Sequence, residues 1–177
     1  MRNKPVERVI LIGYRGSGKT TVARLAAERL GWRWQDADAW LESKYRRAIR
    51  TIFEEEGEAG FRDKEAAVLA ELLMPVQQVL ATGGGVVLRS ENRAALRGSG
   101  LVVWLTAGAE TLWERLHADP SGHEQRPPLT AHGGLAEIRA LLAFREPYYR
   151  ECADLVVDTT GLPANEVADR IVANVKE

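Results

Sequence analysis

Short apolar runs alternate along the chain with longer segments in which apolar residues recur every three or four positions. The short runs predict five β-strands, at Val9–Ile12, Trp32–Gln35, Val76–Ala81, Leu101–Leu105 and Leu155–Val157. The longer segments predict helices whose apolar faces lie within residues 22–30, 66–73, 135–142 and 167–175. Strands that alternate with helices are typical of βαβ units. The pattern therefore predicts an α/β fold around a parallel sheet, with residues 1–177 forming a single domain.

One stretch interrupts this alternation. Residues 118–134 contain three prolines, three glycines and two of the three histidines, His123 and His132. Because the helical patterns on both sides belong to the same rhythm, the stretch is interpreted as a long loop or mobile lid within the domain.

Charge and composition narrow the classes of function. Lys and Arg total 24 and Asp and Glu total 25, so the net charge is −1, which argues against a protein that mainly grips nucleic acid or acidic lipid. Cys152 is the only cysteine, so no intrachain disulfide is expected. The apolar run near the start is too short for a signal peptide or a membrane span, and we therefore expect a cytoplasmic protein.

A phosphate-binding motif stands between the first strand and the first helix. The residues from Gly13 to Thr20 fit G-x-x-x-x-G-K-[ST], in the strand-to-helix context that the motif requires. In this motif the lysine, Lys19, reaches the β- and γ-phosphates and Thr20 offers its hydroxyl to Mg²⁺. The residues predicted to bind ATP here are Gly16, Ser17, Gly18, Lys19, Thr20 and Thr21.

The rest of the chain narrows the kind of nucleotide-binding protein. A GTPase would need Asn-Lys-x-Asp downstream of the loop, and the chain has none there. A small-molecule kinase needs an acid that holds the metal, an acceptor site and a lid that excludes water. Asp36 and Asp38 end the second predicted strand, where two carboxylates fit those needs, although either one is equally suited to cap the next helix.

Further candidates follow the third strand and the acidic run. The run Glu54–Glu56 is interpreted as the solvated face of a helix, whereas Arg62 follows an aromatic residue at the start of a helix. Gly83, Gly84 and Gly85 follow a buried strand, which suggests that the backbone approaches a ligand closely.

In the order and spacing of these motifs the chain resembles the shikimate kinases. The resemblance rests on the phosphate loop, Asp36-x-Asp38, Phe53…Gly57-Glu58…Phe61-Arg62, Gly83–Gly85, Arg126-Pro127 and Arg145-x-Pro147-x-Tyr149. It implies a three-layer αβα P-loop kinase fold with a five-stranded parallel sheet in the order 2-3-1-4-5 and a mobile lid. It also implies Mg²⁺- and ATP-dependent phosphorylation of the shikimate 3-hydroxyl, on the route to chorismate and the aromatic amino acids.

The resemblance also implies a role for each matching residue. Arg62 and Arg145 clamp the shikimate carboxylate, and Gly84 contacts the substrate through its backbone, with Gly83 and Gly85 beside it. Asp38 binds ring hydroxyls and accepts the proton of the attacking one, and Asp36 holds Mg²⁺ through water. Lid residue Arg126 meets the ATP phosphates, and Arg115 with residues 159–163 flanks the adenine.

Two other classes of function stay open at this point. One is another small P-loop kinase, acting on gluconate or a nucleoside, although the Arg62/Arg145 pair disfavours a neutral sugar. The other is an inactive ATP-binding regulatory module, although such proteins usually lose the loop lysine or the acidic pair, and both are present. A monomer is expected. The histidines are interpreted as surface residues. The five tryptophans are interpreted as buried or half-buried packing residues.

Overall fold

The computed structural model describes residues 5–118 and 134–176. The five strands are β1 (Arg8–Ile12), β2 (Arg33–Asp36), β3 (Gln78–Ala81), β4 (Leu101–Thr106) and β5 (Leu155–Asp158). Seven α-helices are described: α1 (Lys19–Leu30), α2 (Ala37–Tyr45), α3 (Ile49–Leu72), α4 (Ser90–Leu96), α5 (Ala109–Ala118), α6 (Leu135–Cys152) and α7 (Ala164–Lys176). A short 3₁₀ helix, Val86–Leu88, follows β3. Every strand predicted from the sequence is present, with shifts of one or two residues at most ends.

The sheet is five-stranded and parallel, in the order β2-β3-β1-β4-β5, as the family resemblance implied. The strand that leads into the phosphate loop, β1, therefore lies at the centre. It pairs with β3 on one side, where Val9 lies opposite Val79, and with β4 on the other, where Val9 lies opposite Leu101. The loops that follow β1, β2 and β3 consequently meet at one edge of the sheet.

Alternate residues of a strand point to opposite faces of the sheet, and here both sets are apolar. Helices therefore cover both faces. On one face Ile10 and Ile12 of β1 join a buried cluster with residues of α2, α3, α4 and α6. On the other face Val9 and Leu11 join a second cluster with residues of α1 and α7. The three-layer αβα arrangement is thus confirmed, and the near-continuous burial of β1 explains its unbroken apolar sequence.

One local expectation needs a finer description and another needs correction. The helix that Arg62 was expected to open is the second segment of α3: a kink at Gly57, where φ is 70° and ψ is −175°, divides α3, and Arg62 lies five residues beyond it. Trp34 is not packed away, because β2 is an edge strand and leaves 40% of that residue exposed. The other four tryptophans are buried or half-buried, and Glu54–Glu56 are exposed, as predicted.

Parts of the lid prediction fall outside the structure. Residues 119–133, with Arg126, His123 and His132, lie outside the described residues, whereas His117 at the end of α5 is exposed as expected. Among the helices of the described chain, we find none with both the length and the apolar content to cross a membrane.

Candidate active site

The loop between β1 and α1 packs closely against the sheet. Gly13 has a φ of 143°, and a side chain at that position would overlap the carbonyl oxygen of Leu105 in β4. The loop ends at Gly18, which precedes Lys19, the first residue of α1. The amide groups at a helix N-terminus lack partners within the helix and favour an anion, so this loop is suited to phosphate.

Lys19 is held by the loop itself. Its Nζ donates to the carbonyl oxygens of Gly13 at 2.7 Å and Tyr14 at 2.9 Å, and it lies 3.5 Å from Ser17 Oγ. Only 9% of the residue is exposed. The ammonium group is therefore already positioned at the loop, and a bound triphosphate would exchange these acceptors for its own oxygens.

Asp36 links the loop to the second strand. Its Oδ2 accepts a hydrogen bond from Thr20 Oγ1 at 2.6 Å, while its Oδ1 accepts from the backbone amides of Asp38 at 3.0 Å and Ala39 at 3.2 Å. The carboxylate thus caps α2 with one oxygen and faces the loop hydroxyl with the other. Helix capping and metal binding were alternatives on sequence grounds, but the geometry accommodates both.

These residues line a cleft of about 280 Å³. From the phosphate loop it is lined by Gly16, Gly18, Lys19, Thr20 and Thr21, and from the neighbouring strand ends by Asp36, Asp38 and Gly84. Within residues 5–118 and 134–176, no group of three His, Cys, Asp or Glu residues could enclose a metal ion. A donor set of one hydroxyl and one carboxylate suits Mg²⁺, which keeps several waters and takes further oxygens from a nucleotide phosphate.

Arg62 is buried beside the glycine turn. It is 6% exposed, and its Nη1 donates to the buried carboxylate of Glu65 at 2.5 Å. A Cβ on Gly85 would lie only 2.7 Å from Arg62 Cζ. The third glycine of the turn therefore leaves the space that the guanidinium occupies.

Arg145 approaches the same turn from α6. It is 6% exposed, and its Nη1 lies 3.6 Å from the position that a Cβ on Gly84 would take. Its Nε is buried and, among the described residues, has no hydrogen-bond partner. Its Cζ lies 5.7 Å from the centre of the Tyr14 ring, an arrangement in which the ring attracts the cation.

Tyr149 fixes the middle glycine. Its hydroxyl donates to the carbonyl oxygen of Gly84 at 2.5 Å. Burial raises the pKa of Tyr149 to about 12, although the nearby positive charge of Arg145 opposes that shift. The phenol consequently stays protonated, and able to donate, through the neutral pH range.

A second cleft, of about 210 Å³, adjoins the other side of the loop. It is lined by Ser17, Thr21, Arg115 and Thr159, among others. Arg115 donates from Nη1 to Thr159 Oγ1 at 2.9 Å and from Nη2 to the Thr159 carbonyl at 2.8 Å. The structure thus places Arg115 and the start of the 159–163 stretch together, next to the phosphate loop.

Sequence reasoning gave no role to the residues that accompany the two buried arginines: Glu65 was not singled out, and Tyr149 was noted only as part of a motif. Glu65 follows Arg62 by three positions and Tyr149 follows Arg145 by four, so each lies on the same helix face as the arginine it accompanies. That helical spacing was a usable signal for both. Tyr14 carried no such signal, because its contact with Arg145 joins distant parts of the chain.

Comparison with known proteins agrees with this geometry. The family model for shikimate kinase matches residues 15–176. The chain belongs to the shikimate kinase family. Shikimate kinases are enzymes that transfer a phosphoryl group from ATP to shikimate, and membership assigns that activity to this chain.

Individual relatives cover almost the whole chain. It is 44% identical over 169 residues to a shikimate kinase of Symbiobacterium thermophilum, covering 96% of both sequences. It is 47% identical over 154 residues to one from Neisseria gonorrhoeae, covering 87% of this chain and 88% of the other. Among solved structures, it superposes with a TM-score of 0.89 on shikimate kinase from Acinetobacter baumannii in complex with shikimate, at 38% identity, covering 96% of this chain and 93% of that one.

The comparison also bears on the rival kinase. A gluconokinase from Sinorhizobium meliloti matches with a TM-score of 0.59 at 19% identity, covering 98% of this chain and 94% of that one. That likeness is one of fold alone. Membership of the shikimate kinase family therefore argues against the gluconate- and nucleoside-type kinases that the sequence left open.

Proposed function

We propose that this shikimate kinase transfers the γ-phosphoryl group of Mg²⁺-bound ATP to the 3-hydroxyl of shikimate, which Arg62 and Arg145 hold by its carboxylate. The observation that carries the proposal is that these two buried arginines reach the turn Gly83–Gly85 from different helices, beside the phosphate cleft. A neutral acceptor would leave the positive charge of Arg145 without an anionic partner among the described residues.

We call the region where Arg62 and Arg145 meet the turn Gly83–Gly85 the acceptor pocket. Its charges suit one carboxylate. Arg62 forms an ion pair with the buried Glu65 and a second one, at 3.4 Å, with the exposed Glu58, so it brings no net positive charge to the pocket. Arg145 then contributes a single positive charge, and its buried Nε has no hydrogen-bond partner within the described chain. A planar carboxylate accepts two parallel hydrogen bonds from a guanidinium, which makes Arg145 the main anchor and Arg62 the second.

Thr20 and Asp36 are the residues we propose to hold Mg²⁺, with Asp36 acting through water. Their oxygens already lie 2.6 Å apart, in contact with the cleft. When bound there, the ion would supply positive charge that offsets the negative charge building up on the phosphate oxygens. Asp36 keeps its place because its other oxygen is bound by the amides of Asp38 and Ala39.

Asp38 is our candidate for the group that accepts the proton. The 3-hydroxyl oxygen forms a bond to the γ-phosphorus, and the bond from that phosphorus to the β–γ bridging oxygen breaks. The electron pair of the broken bond stays on ADP, and the hydroxyl proton passes to Asp38. The Lys19 ammonium stabilises the negative charge on the transferred group, and we assign the same task to Arg126, which lies outside the described residues.

The remaining assignments follow from position. The backbone of Gly84, with Gly83 and Gly85 beside it, borders the acceptor, and Arg115 with Thr159 borders the nucleoside end of ATP.

We also propose that the enzyme acts as a cytoplasmic monomer. Light scattering behind a sizing column tests the monomer, which a mass near twice 19.6 kDa would contradict.

The deciding experiment measures ADP release by the purified protein with four acceptors. These are shikimate, its methyl ester, gluconate and a nucleoside monophosphate. We expect turnover with shikimate and weak turnover with the ester, because the ester has no charge for Arg145 to bind. Turnover with gluconate or the nucleotide but not with shikimate would overturn the acceptor assignment. Equal KM values for shikimate and its ester would instead overturn the carboxylate clamp.

A further inference from the structure

Arg15 has no role in the mechanism described so far, although it lies in the phosphate loop between Tyr14 and Gly16. The residue lines the main cleft together with Lys19 and Asp38. The residue is half-buried. A guanidinium in such a position loses part of its hydration and gains from an anionic partner.

Apart from Arg145, the other described arginines that are not fully exposed bind carboxylates or main-chain carbonyls. Arg29, Arg47, Arg62, Arg89 and Arg93 pair with carboxylates, whereas Arg8 and Arg115 donate to main-chain carbonyls. For Arg15, residues 5–118 and 134–176 offer no hydrogen bond or ion pair to the side chain. In this it resembles Arg145, whose Nε lacks a partner and to which we assigned the acceptor carboxylate.

The backbone places Arg15 where the two halves of the site meet. Its amide nitrogen lies 3.4 Å from the position of a Cβ on Gly84. Arg145 Nη1 lies 3.6 Å from that same position, on the acceptor side. Arg15 therefore stands at the junction between the phosphate cleft and the glycine turn that Arg145 approaches, and it is one of the residues that line the cleft.

We propose that Arg15 binds the phosphoryl group in transfer from the acceptor side of the loop. Lys19 supplies a point charge to the same group, whereas a guanidinium fork pairs with two of its outer oxygens at once. Charge in the transition state is spread over those oxygens, so a second cation there stabilises it. The proposal takes the acceptor from the proposed function, but the contact with the γ-phosphate does not depend on which acceptor is used.

The test compares two nucleotides that differ by that phosphate. Titration calorimetry with Mg²⁺ measures the affinity of wild type and Arg15→Met for ADP and for the slowly hydrolysed ATP analogue AMP-PNP, with no acceptor present. Because hydrogen bonds to charged groups are strong, we expect Arg15→Met to weaken AMP-PNP binding about tenfold or more. ADP binding should change less than about threefold, because ADP lacks the group that Arg15 contacts. Arg15→Lys should recover part of the AMP-PNP affinity, since it restores the charge without the fork.

The matched control is Arg24→Met, which removes an exposed arginine from α1. It should leave the affinity for both nucleotides unchanged. An equal loss of ADP and AMP-PNP affinity in Arg15→Met would show a general effect on the loop and overturn the proposal, as would no loss at all. If AMP-PNP discrimination depends on Arg15 while shikimate is not phosphorylated, the acceptor assignment fails and the role of Arg15 stands.

Discussion

Replacing Gly85 by alanine adds one methyl group beside Arg62, and so tests whether Arg62 binds the acceptor. The φ of −98° and ψ of 5° at Gly85 are open to alanine, so the change strains no backbone. The added Cβ, however, would lie 2.7 Å from Arg62 Cζ, where ordinary contact begins at 3.4 Å. Arg62 Nη1 would lie nearer still, at 2.5 Å, so the guanidinium must retreat by about 0.9 Å or more from its place beside the glycine turn.

That displacement sets the size of the expected effect. A hydrogen bond to a charged group contributes about 1.5–3 kcal/mol, so losing the contact between Arg62 and the carboxylate should raise the shikimate KM about 10- to 100-fold. The KM for ATP should stay unchanged, because Arg62 does not line the phosphate cleft. Folding stability should change little, since the group that moves is the end of a flexible side chain and alanine restricts the unfolded chain more than glycine does.

The assay is ADP release at varied shikimate concentration, together with a thermal melt. Gly108→Ala is the matched control, because the nearest atom to a Cβ there lies 3.9 Å away. In an Arg62→Met background, Gly85→Ala should add no further loss, since the displaced group is already gone. A wild-type shikimate KM for Gly85→Ala, or a full additional loss in the double variant, would refute the steric argument.

Three further substitutions test the proposed roles. Lys19→Ala should abolish turnover while the melting curve stays cooperative, because the ammonium group serves the phosphates; retained ADP release would remove it from the mechanism. Asp38→Asn should lower kcat by about 10²–10⁴, the usual scale for losing a general base, and a near-normal kcat would exclude Asp38 as proton acceptor. Arg145→Lys should raise the shikimate KM about tenfold or more, because an ammonium cannot replace a bidentate fork; an unchanged KM would place the carboxylate elsewhere.

The periodicity of apolar residues was sufficient to predict where the strands lie and that strands and helices alternate. The central strand β1 is buried on both faces, so its unbroken apolar run was an unambiguous signal. The strand order came from the family resemblance, since periodicity does not state which strands are neighbours. Trp34 misled because an aromatic residue on a short edge strand has the same local pattern as one on a central strand.

The grouping of the candidate site residues was predictable where a motif fixed their spacing. The phosphate loop and the two aspartates are adjacent in sequence to strand ends, which topology brings to one edge of the sheet. The relation between Tyr14 and Arg145 depends on how α6 packs over the loop, and no local pattern encodes that packing. The function of Asp36 was ambiguous because one carboxylate has two oxygens, and the fold directs each of them to a different partner.

The double engagement of Asp36 has a mechanical consequence. Oδ1 binds the amide of Asp38, the residue proposed to take the proton, while Oδ2 binds the hydroxyl of Thr20, a residue proposed to hold the metal. A shift of the start of α2 would therefore move the metal ligand and the proton acceptor together. The two proposed functions would thus be linked through one carboxylate, because the same side chain holds both the start of α2 and the hydroxyl of Thr20.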